Sequence, residues 1–262
     1  MKKIHYITAA LVLFTLLCWS CEDKIDIDLN DADPRVVIVG DLSNLSDKHQ
    51  IRVSKTVAFN EPVNSLPINN AQVEVTEVGG RSYRFASTGE NGIYTISGMS
   101  LREGRTYRLK IWVDDEIYES ESTVPRYVPV EELGLKEETI FGEAYKMVTF
   151  GFTDPVDIDN YYRYLIAVNN NPMEFSTVFS DKFNNGLTLT HDIANEDNDL
   201  KVGDEIVIRR QCIDKNVHRY WNEFQQTNPG SASPANPTSN ISNGALGYFS
   251  TSSAQDFKTT ME

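Results

Sequence analysis

The chain has 262 residues, enough for one large domain or two modest ones at roughly 100–200 residues per domain. Its residues are 40% hydrophobic and 24% charged, which permits a packed core and excludes wholesale disorder. Lys and Arg number 24 against 38 Asp and Glu, a formal charge of −14 that excludes a phosphate-tracking nucleic-acid binder, and three cysteines exclude a disulfide framework.

Lys2 and Lys3 form a short positive start, and an apolar run from Ile7 to Trp19 follows, broken only by Thr8 and Thr15. Such a run is too short for a membrane span, which needs about 20 apolar residues, and fits the core of a signal peptide over 1–20. Cys18-Trp19-Ser20-Cys21 then gives way to Glu22-Asp23-Lys24. Ordinary cleavage at a small residue would release a soluble secreted protein. The other reading is lipidation: Ser20 directly before Cys21 resembles a bacterial lipobox, with Cys18 an unusual third-from-last residue. Each acyl methylene buried in a bilayer contributes about 0.8 kcal/mol, so two or more chains on Cys21 anchor the protein stably. Loss of residues 1–20 removes two lysines and no acid, which leaves 22 basic against 38 acidic groups and a net charge of −16. Only Cys212 then remains as a free thiol, so no intramolecular disulfide can form. A half-buried strand cysteine is the expected role for it, rather than a nucleophile.

Residues 21–33 read as an acidic tether (Glu22, Asp23, Asp26, Asp28, Asp31, Asp33) closed by Pro34. From 34 to 125 the period is two. Val36 to Val39 forms a short buried strand. Ile51, Val53, Val57 and Phe59 alternate with polar residues, as do Ala71, Val73 and Val75. Gly79-Gly80 turns into Tyr83 and Phe85, Asn91-Gly92 turns into Ile93 to Ile96, and Tyr107, Leu109, Ile111 and Val113 precede a turn at Asp114-Asp115. Some seven short strands at this spacing predict an antiparallel β-sandwich.

Residues 126–262 predict a second β-rich domain. Val148, Phe150 and Phe152 alternate. Asn160 to Val168 is a long aromatic strand, and further strands are expected over Glu174–Phe183, at Leu187 and Leu189, over Glu205–Ile213, and from Leu246 to Ser250. Val217, Tyr220, Trp221 and Phe224 fall at helical spacing behind the N-cap Asp214, and Asn228-Pro229-Gly230 ends the pattern, which predicts one helix at about 214–228 with its aromatic face on the sheet. The last residues carry no strong signal. The fold class is mainly β with one packed helix.

No catalytic signature is present. His49, His191 and His218 lack zinc spacing, and there is no nucleophile elbow, phosphate loop or dinucleotide glycine pattern. Asp192, Asp197 and Asp199 are calcium candidates by composition, yet Leu200 and Ile206 stand where a calcium loop needs glycine and glutamate. Asp154, Asp157 and Asp159 form a second acidic cluster, and solvated loops are the expected setting for both. Tyr161, Tyr162 and Tyr164 place tyrosines on both faces of one strand, so one face can turn outward to a sugar or peptide. Neither a cofactor nor a metal is expected from these patterns.

Pro67 to Val75, Gly92-Ile93-Tyr94 and Gly104 to Leu109 resemble the transthyretin-like and carboxypeptidase-regulatory-like β modules, which serve as spacers or binding platforms. Together with Cys21, the acidic tether, Val36–Val39, Lys201-Val202-Gly203-Asp204, the 214–226 helix and the Asn236–Phe249 segment, they make the chain resemble the Bacteroidota lipoprotein family termed domain of unknown function 4249. Ser239-Asn240-Ile241-Ser242-Asn243-Gly244 with Leu246-Gly247-Tyr248-Phe249 is the most specific part, and Ala245 departs from an expected glycine. The resemblance implies an outer-membrane lipoprotein, held at the cell surface through Cys21, that accompanies a TonB-dependent transporter as a non-catalytic accessory or ligand-binding module. The alternative is a structural or adhesion spacer that binds another macromolecule; a hydrolase using acidic residues ranks third.

Overall fold

The computed structural model describes residues 33–57, 65–156, 158–195, 197, 199–227 and 236–262. The expected leader, Cys21 and the tether as far as residue 32 lie outside these residues.

Two-residue alternation sets the first eight strands: β1 (Val36–Ser43), β2 (Lys48–Lys55), β3 (Leu66–Pro67), β4 (Gln72–Glu77), β5 (Ser82–Ser87), β6 (Ile93–Ser97), β7 (Thr106–Val113) and β8 (Glu116–Thr123). Their inward residues, among them Ile38, Ile51, Val53, Val75, Leu109 and Ile111, are wholly buried. Each such side chain contributes about 1.5–3 kcal/mol relative to exposure. The Asn91-Gly92 turn has φ of 55° and 65°, the left-handed pair that a tight hairpin needs. Val57 falls beyond the end of β2, and Phe59 lies outside the described residues.

The remaining elements are β9 (Glu132–Ile140), β10 (Glu143–Thr153), β11 (Tyr161–Val168), β12 (Glu174–Ser180), β13 (Thr188–Ile193), β14 (Glu205–Cys212), the helix α1 (Lys215–Thr227) and β15 (Leu246–Thr260). The protein is therefore mainly β with one helix among the described residues. β9 was not expected from the sequence, and β15 runs ten residues past the expected stop at Ser250.

One sheet runs in the order β12-β11-β14-β15-β1-β2-β6-β5-β4-β7-β8, with β3 on β2, and a three-stranded sheet runs β13-β10-β9. Among these pairings only β1 with β15 is parallel, from Val37↔Leu246 to Ser43↔Ser252. The far half of β15 pairs antiparallel with β14, from Cys212↔Ser253 to Glu205↔Thr260. A single strand thus hydrogen-bonds elements from both halves of the sequence, and residues 33–262 cluster as one unit. Its first half also feeds Phe249 into the core of β1–β8, beside Ile241 and Ala245. A second core gathers Phe150, Phe152, Tyr162, Tyr164, Ile206, Ile208 and Met261.

The segment before β15 covers the open edge of β8. The Ser242 N–H donates to the Glu119 carbonyl at 2.8 Å, and the Glu119 N–H donates to Ser242 Oγ at 2.8 Å. Asn240 holds this cover to β15: its Nδ2 donates to the Phe249 carbonyl at 2.7 Å and its Oδ1 accepts the Phe249 N–H at 2.9 Å. An uncovered edge strand invites pairing with another chain, so the cover keeps β8 from doing so. The Asn…Phe spacing in the most specific part of the sequence is a structural clasp.

Asp214 caps α1 as expected. Its Oδ1 accepts the N–H groups of Asn216 at 2.9 Å and Val217 at 3.0 Å, and its Oδ2 accepts the Ser122 hydroxyl at 2.5 Å. Val217 is buried with Val178, Ile213 and Tyr248, and Trp221 stacks on Phe175 at 4.6 Å.

Candidate functional site

Two adjacent arginines on a strand must face opposite ways, so one of Arg209 and Arg210 is forced inward. Arg209 pairs with Asp256 at the surface, at 2.7 Å. Arg210 is wholly buried and has no carboxylate partner among the described residues. Its guanidinium lies 4.5 Å from the ring centres of both Phe152 and Tyr162. Nε donates to Tyr164 Oη at 3.0 Å and Nη1 to the Val128 carbonyl at 2.5 Å. The π-faces substitute for a counter-ion, an arrangement suited to a weakly hydrated guanidinium.

Since Tyr164 Oη accepts from Arg210, its own hydrogen goes to His191 Nδ1, 2.9 Å away. That leaves His191 neutral, with its proton on Nε2. Burial and the Arg210 charge lower its pKa from 6.5 to about 3. Tyr162 and Tyr164 are buried, and Tyr161 rests against the His218 ring at 4.9 Å. The expected outward tyrosine face is therefore absent: the tyrosines serve the core and the helix packing. Burial also lowers the pKa values of His49 and His218.

The unfolded chain takes up these protons before the folded one, so stability is complete above pH 6.5 and is lost as pH falls from there toward 3. The His191 contribution to that loss is about 2 kcal/mol between pH 7 and pH 5. Asp181 and Asp214, raised by burial, act in the opposite sense at the acid end. Urea denaturation at the two pH values is expected to show this drop, and His191→Gln is expected to flatten it.

Of the 154–159 cluster, Asp159 is exposed as expected of a solvated loop, but Asp154 is buried. Asp154 is 1% and Asp181 2% exposed. Tyr162 Oη donates to Asp154 Oδ1 at 2.5 Å, and the Asn160 N–H donates to Asp181 Oδ2 at 2.9 Å. Among the described residues Asp154 Oδ2 is buried without a hydrogen-bond donor. Burial pushes the Asp181 carboxyl up; the Asn160 N–H pulls it back, and Asp154 raises it further. Nothing in the sequence near Asp154 signals this burial, because it depends on how two loops pair. The Asp154 N–H donates to the Leu187 carbonyl at 2.9 Å, and the Asp181 N–H to the Asn160 carbonyl at 3.2 Å. Residue 157 lies outside the described residues.

The same two loops carry an apolar tip. Phe183 is 86%, Val156 65%, Leu187 54% and Ile158 52% exposed. Beside the tip a cleft of about 470 Å³ opens between the first turns of α1 and the β11–β12 edge, with Asp159, Asp181, Lys182, Lys215, His218 and Arg219 on its walls. A second, shallow groove of about 680 Å³ runs along β12 past Phe175 and Phe224 to Asp192 and Asn195.

The calcium candidates are dispersed. Asp192 pairs with Lys136 at 2.7 Å. Asp199 accepts from Asn195 Nδ2 at 2.6 Å, and its N–H donates to Asn195 Oδ1 at 3.1 Å. Asp197 has no described partner, and residues 196 and 198 lie outside the described residues. No group of three or more His, Cys, Asp or Glu converges among the described residues. Cys212 is 1% exposed, and burial pushes its thiol up, so it is a core side chain rather than a nucleophile. No described helix is long and apolar enough to cross a membrane.

A mainly β framework with one packed helix, a buried polar seam and an apolar loop tip defines the class of protein. The chain belongs to the family described as Domain of unknown function (DUF4249), whose profile matches residues 22–258. No curated protein matches the chain.

Proposed function

We propose that the chain is a non-catalytic accessory lipoprotein of the outer membrane, anchored through Cys21 at the cell surface, which docks on a TonB-dependent transporter and presents or retains its ligand. The observation that carries this reading is the apolar tip of Val156, Ile158, Phe183 and Leu187 beside a polar cleft. Contiguous exposed apolar side chains rimmed by polar ones are a common mark of a protein contact. Support for the anchor comes from the order Ser20-Cys21-Glu22-Asp23 and from the family match, which begins at residue 22, next to the cysteine. A tether at the membrane holds the docking face near its target and raises its effective concentration there.

The test is copurification from the cells that make the protein. The wild type is expected to bring down an outer-membrane transporter, and Phe183→Asp to lose it while melting at the same temperature. Capture of a different macromolecule with no transporter would instead support a spacer or adhesion role. Cys21→Ala is expected to move the protein from the membrane to the soluble fraction; unchanged membrane association would overturn the anchor.

A further inference from the structure

The cleft beside the apolar tip takes its walls from the entry to β11, the exit of β12 and the first two turns of α1. Of its acidic and basic side chains Lys182, Lys215, Arg219 and Asp159 are exposed, whereas Asp181 is buried and already accepts the Asn160 N–H at 2.9 Å. Three solvent-facing cations thus stand against one solvent-facing carboxylate. Among the described residues none of the three forms an ion pair, although the chain has 38 acidic side chains to 24 basic ones. Lys182 has only the Phe183 ring beneath it, at 5.3 Å.

Two of these cations are also set against local stability. Lys215 and Arg219 stand four residues apart on α1, where like charges share a face and repel. Lys215 opens the helix at the positive end of its dipole, and no acidic side chain follows the cap Asp214 in the first turn. Charges that break local rules and lack partners are expected at binding surfaces. Concave walls focus their field, and about 470 Å³ is the size of a small-molecule site. Tyr161, Asn216 and Asn222 on the same walls offer a ring and amides to the rest of a bound molecule.

We propose that this cleft binds a small organic anion, whose carboxylate or phosphate group is held by Lys182, Lys215 and Arg219. The inference rests on the preceding reading in taking the cleft beside the docking tip for the ligand site, and it names the chemistry of that ligand. The Arg219 guanidinium can take such a group through two hydrogen bonds, and the two ammonium groups add point charges.

The test titrates the mature chain at low salt with glucose 6-phosphate, glucuronate, inorganic phosphate and uncharged glucose, read from backbone amide NMR shifts. At least one of the two organic anions is expected to bind with a Kd of about 1 mM or tighter, shifting the first turns of α1, and glucose is not. Binding of the phosphate ester alone assigns a phosphate group, and of glucuronate alone a carboxylate. Lys215→Glu and Arg219→Gln are each expected to weaken binding about tenfold. Lys215→Glu is also expected to raise the melting temperature of the free protein by roughly 1–3 °C, because an acid at the helix start suits the dipole and pairs with Arg219; a purely structural Lys215 would lower it. Silence from both organic anions up to about 10 mM, equal binding of glucose, inorganic phosphate as tight as its ester, or wild-type affinity in both variants overturns the proposal. Lys215→Glu is expected to keep its transporter and Phe183→Asp its anion, so failure of one reading leaves the other standing.

Discussion

Gly247→Ala is expected to destabilise the protein by about 3–5 kcal/mol, enough to remove most of the stability of a typical domain. Gly247 has φ of 85°, a conformation that residues with a Cβ rarely adopt, within the strand that pairs parallel with β1. A Cβ there would collide with the Ile38 carbonyl oxygen, which is backbone and has no rotamer to escape into. The strand must either shift its register or abandon the β1 pairing, and a one-residue slip would turn Tyr248 and Phe249 to the wrong faces. Denaturant titration checks the magnitude. A variant within 1 kcal/mol of wild type would show that β15 does not depend on this close approach. Ala245 offers the contrast, since it is buried at an ordinary position and already carries a Cβ.

Arg210→Ala ranks second, with an expected loss of about 3–5 kcal/mol. The change empties the slot between Phe152 and Tyr162, and it strands the Val128 carbonyl and Tyr164 Oη without their donors. Arg210→Lys is expected to fare little better, because a compact ammonium cannot lie flat between two rings and reach both acceptors. Arg210→Met is the informative third variant: it fills volume without a charge, and replacing a buried ion by a well-packed apolar group is often neutral. If Met restores stability where Lys does not, the guanidinium is needed for its shape rather than its charge. Urea midpoints for the three variants decide between these accounts.

Strands with strict alternation were legible in the sequence because one face of each meets a core. Tyr107 to Val113 is an example, with Tyr107, Leu109, Ile111 and Val113 all buried. The helix was legible through its spacing and its cap, and α1 ends within a residue of the expected limits. The far half of β15 was not legible. Ser250 closes the expected strand and Thr251, Ser252 and Ser253 carry no strong signal, yet all four are fully buried. They work as small hydroxyl-bearing residues in a crowded seam: Ser252 Oγ donates to the Leu42 carbonyl at 3.2 Å, and the Thr251 N–H donates to Ser122 Oγ at 2.9 Å. Local pattern cannot reveal a polar run whose partners are remote in the chain. The burial of Asp154 was hidden for the same reason, while Asp159 in the same acidic loop faces solvent as expected. Arg210 carried a readable hint, since neighbouring Arg209 and Arg210 cannot share a face.

The parallel pairing of the first strand with the last has a consequence for how the protein is made. Arg35 reaches the Gly244 carbonyl across 209 residues of sequence, so the parallel ladder of the large sheet joins elements remote from each other in the chain. A nascent chain has β1 early but lacks its partner β15 until all the elements between them have been made. Through that interval β1 and β14 both present an unpaired backbone rim, and closure over so long a loop is intrinsically slow. Late closure of the large sheet, and its loss when β15 is removed, follow from that order of assembly.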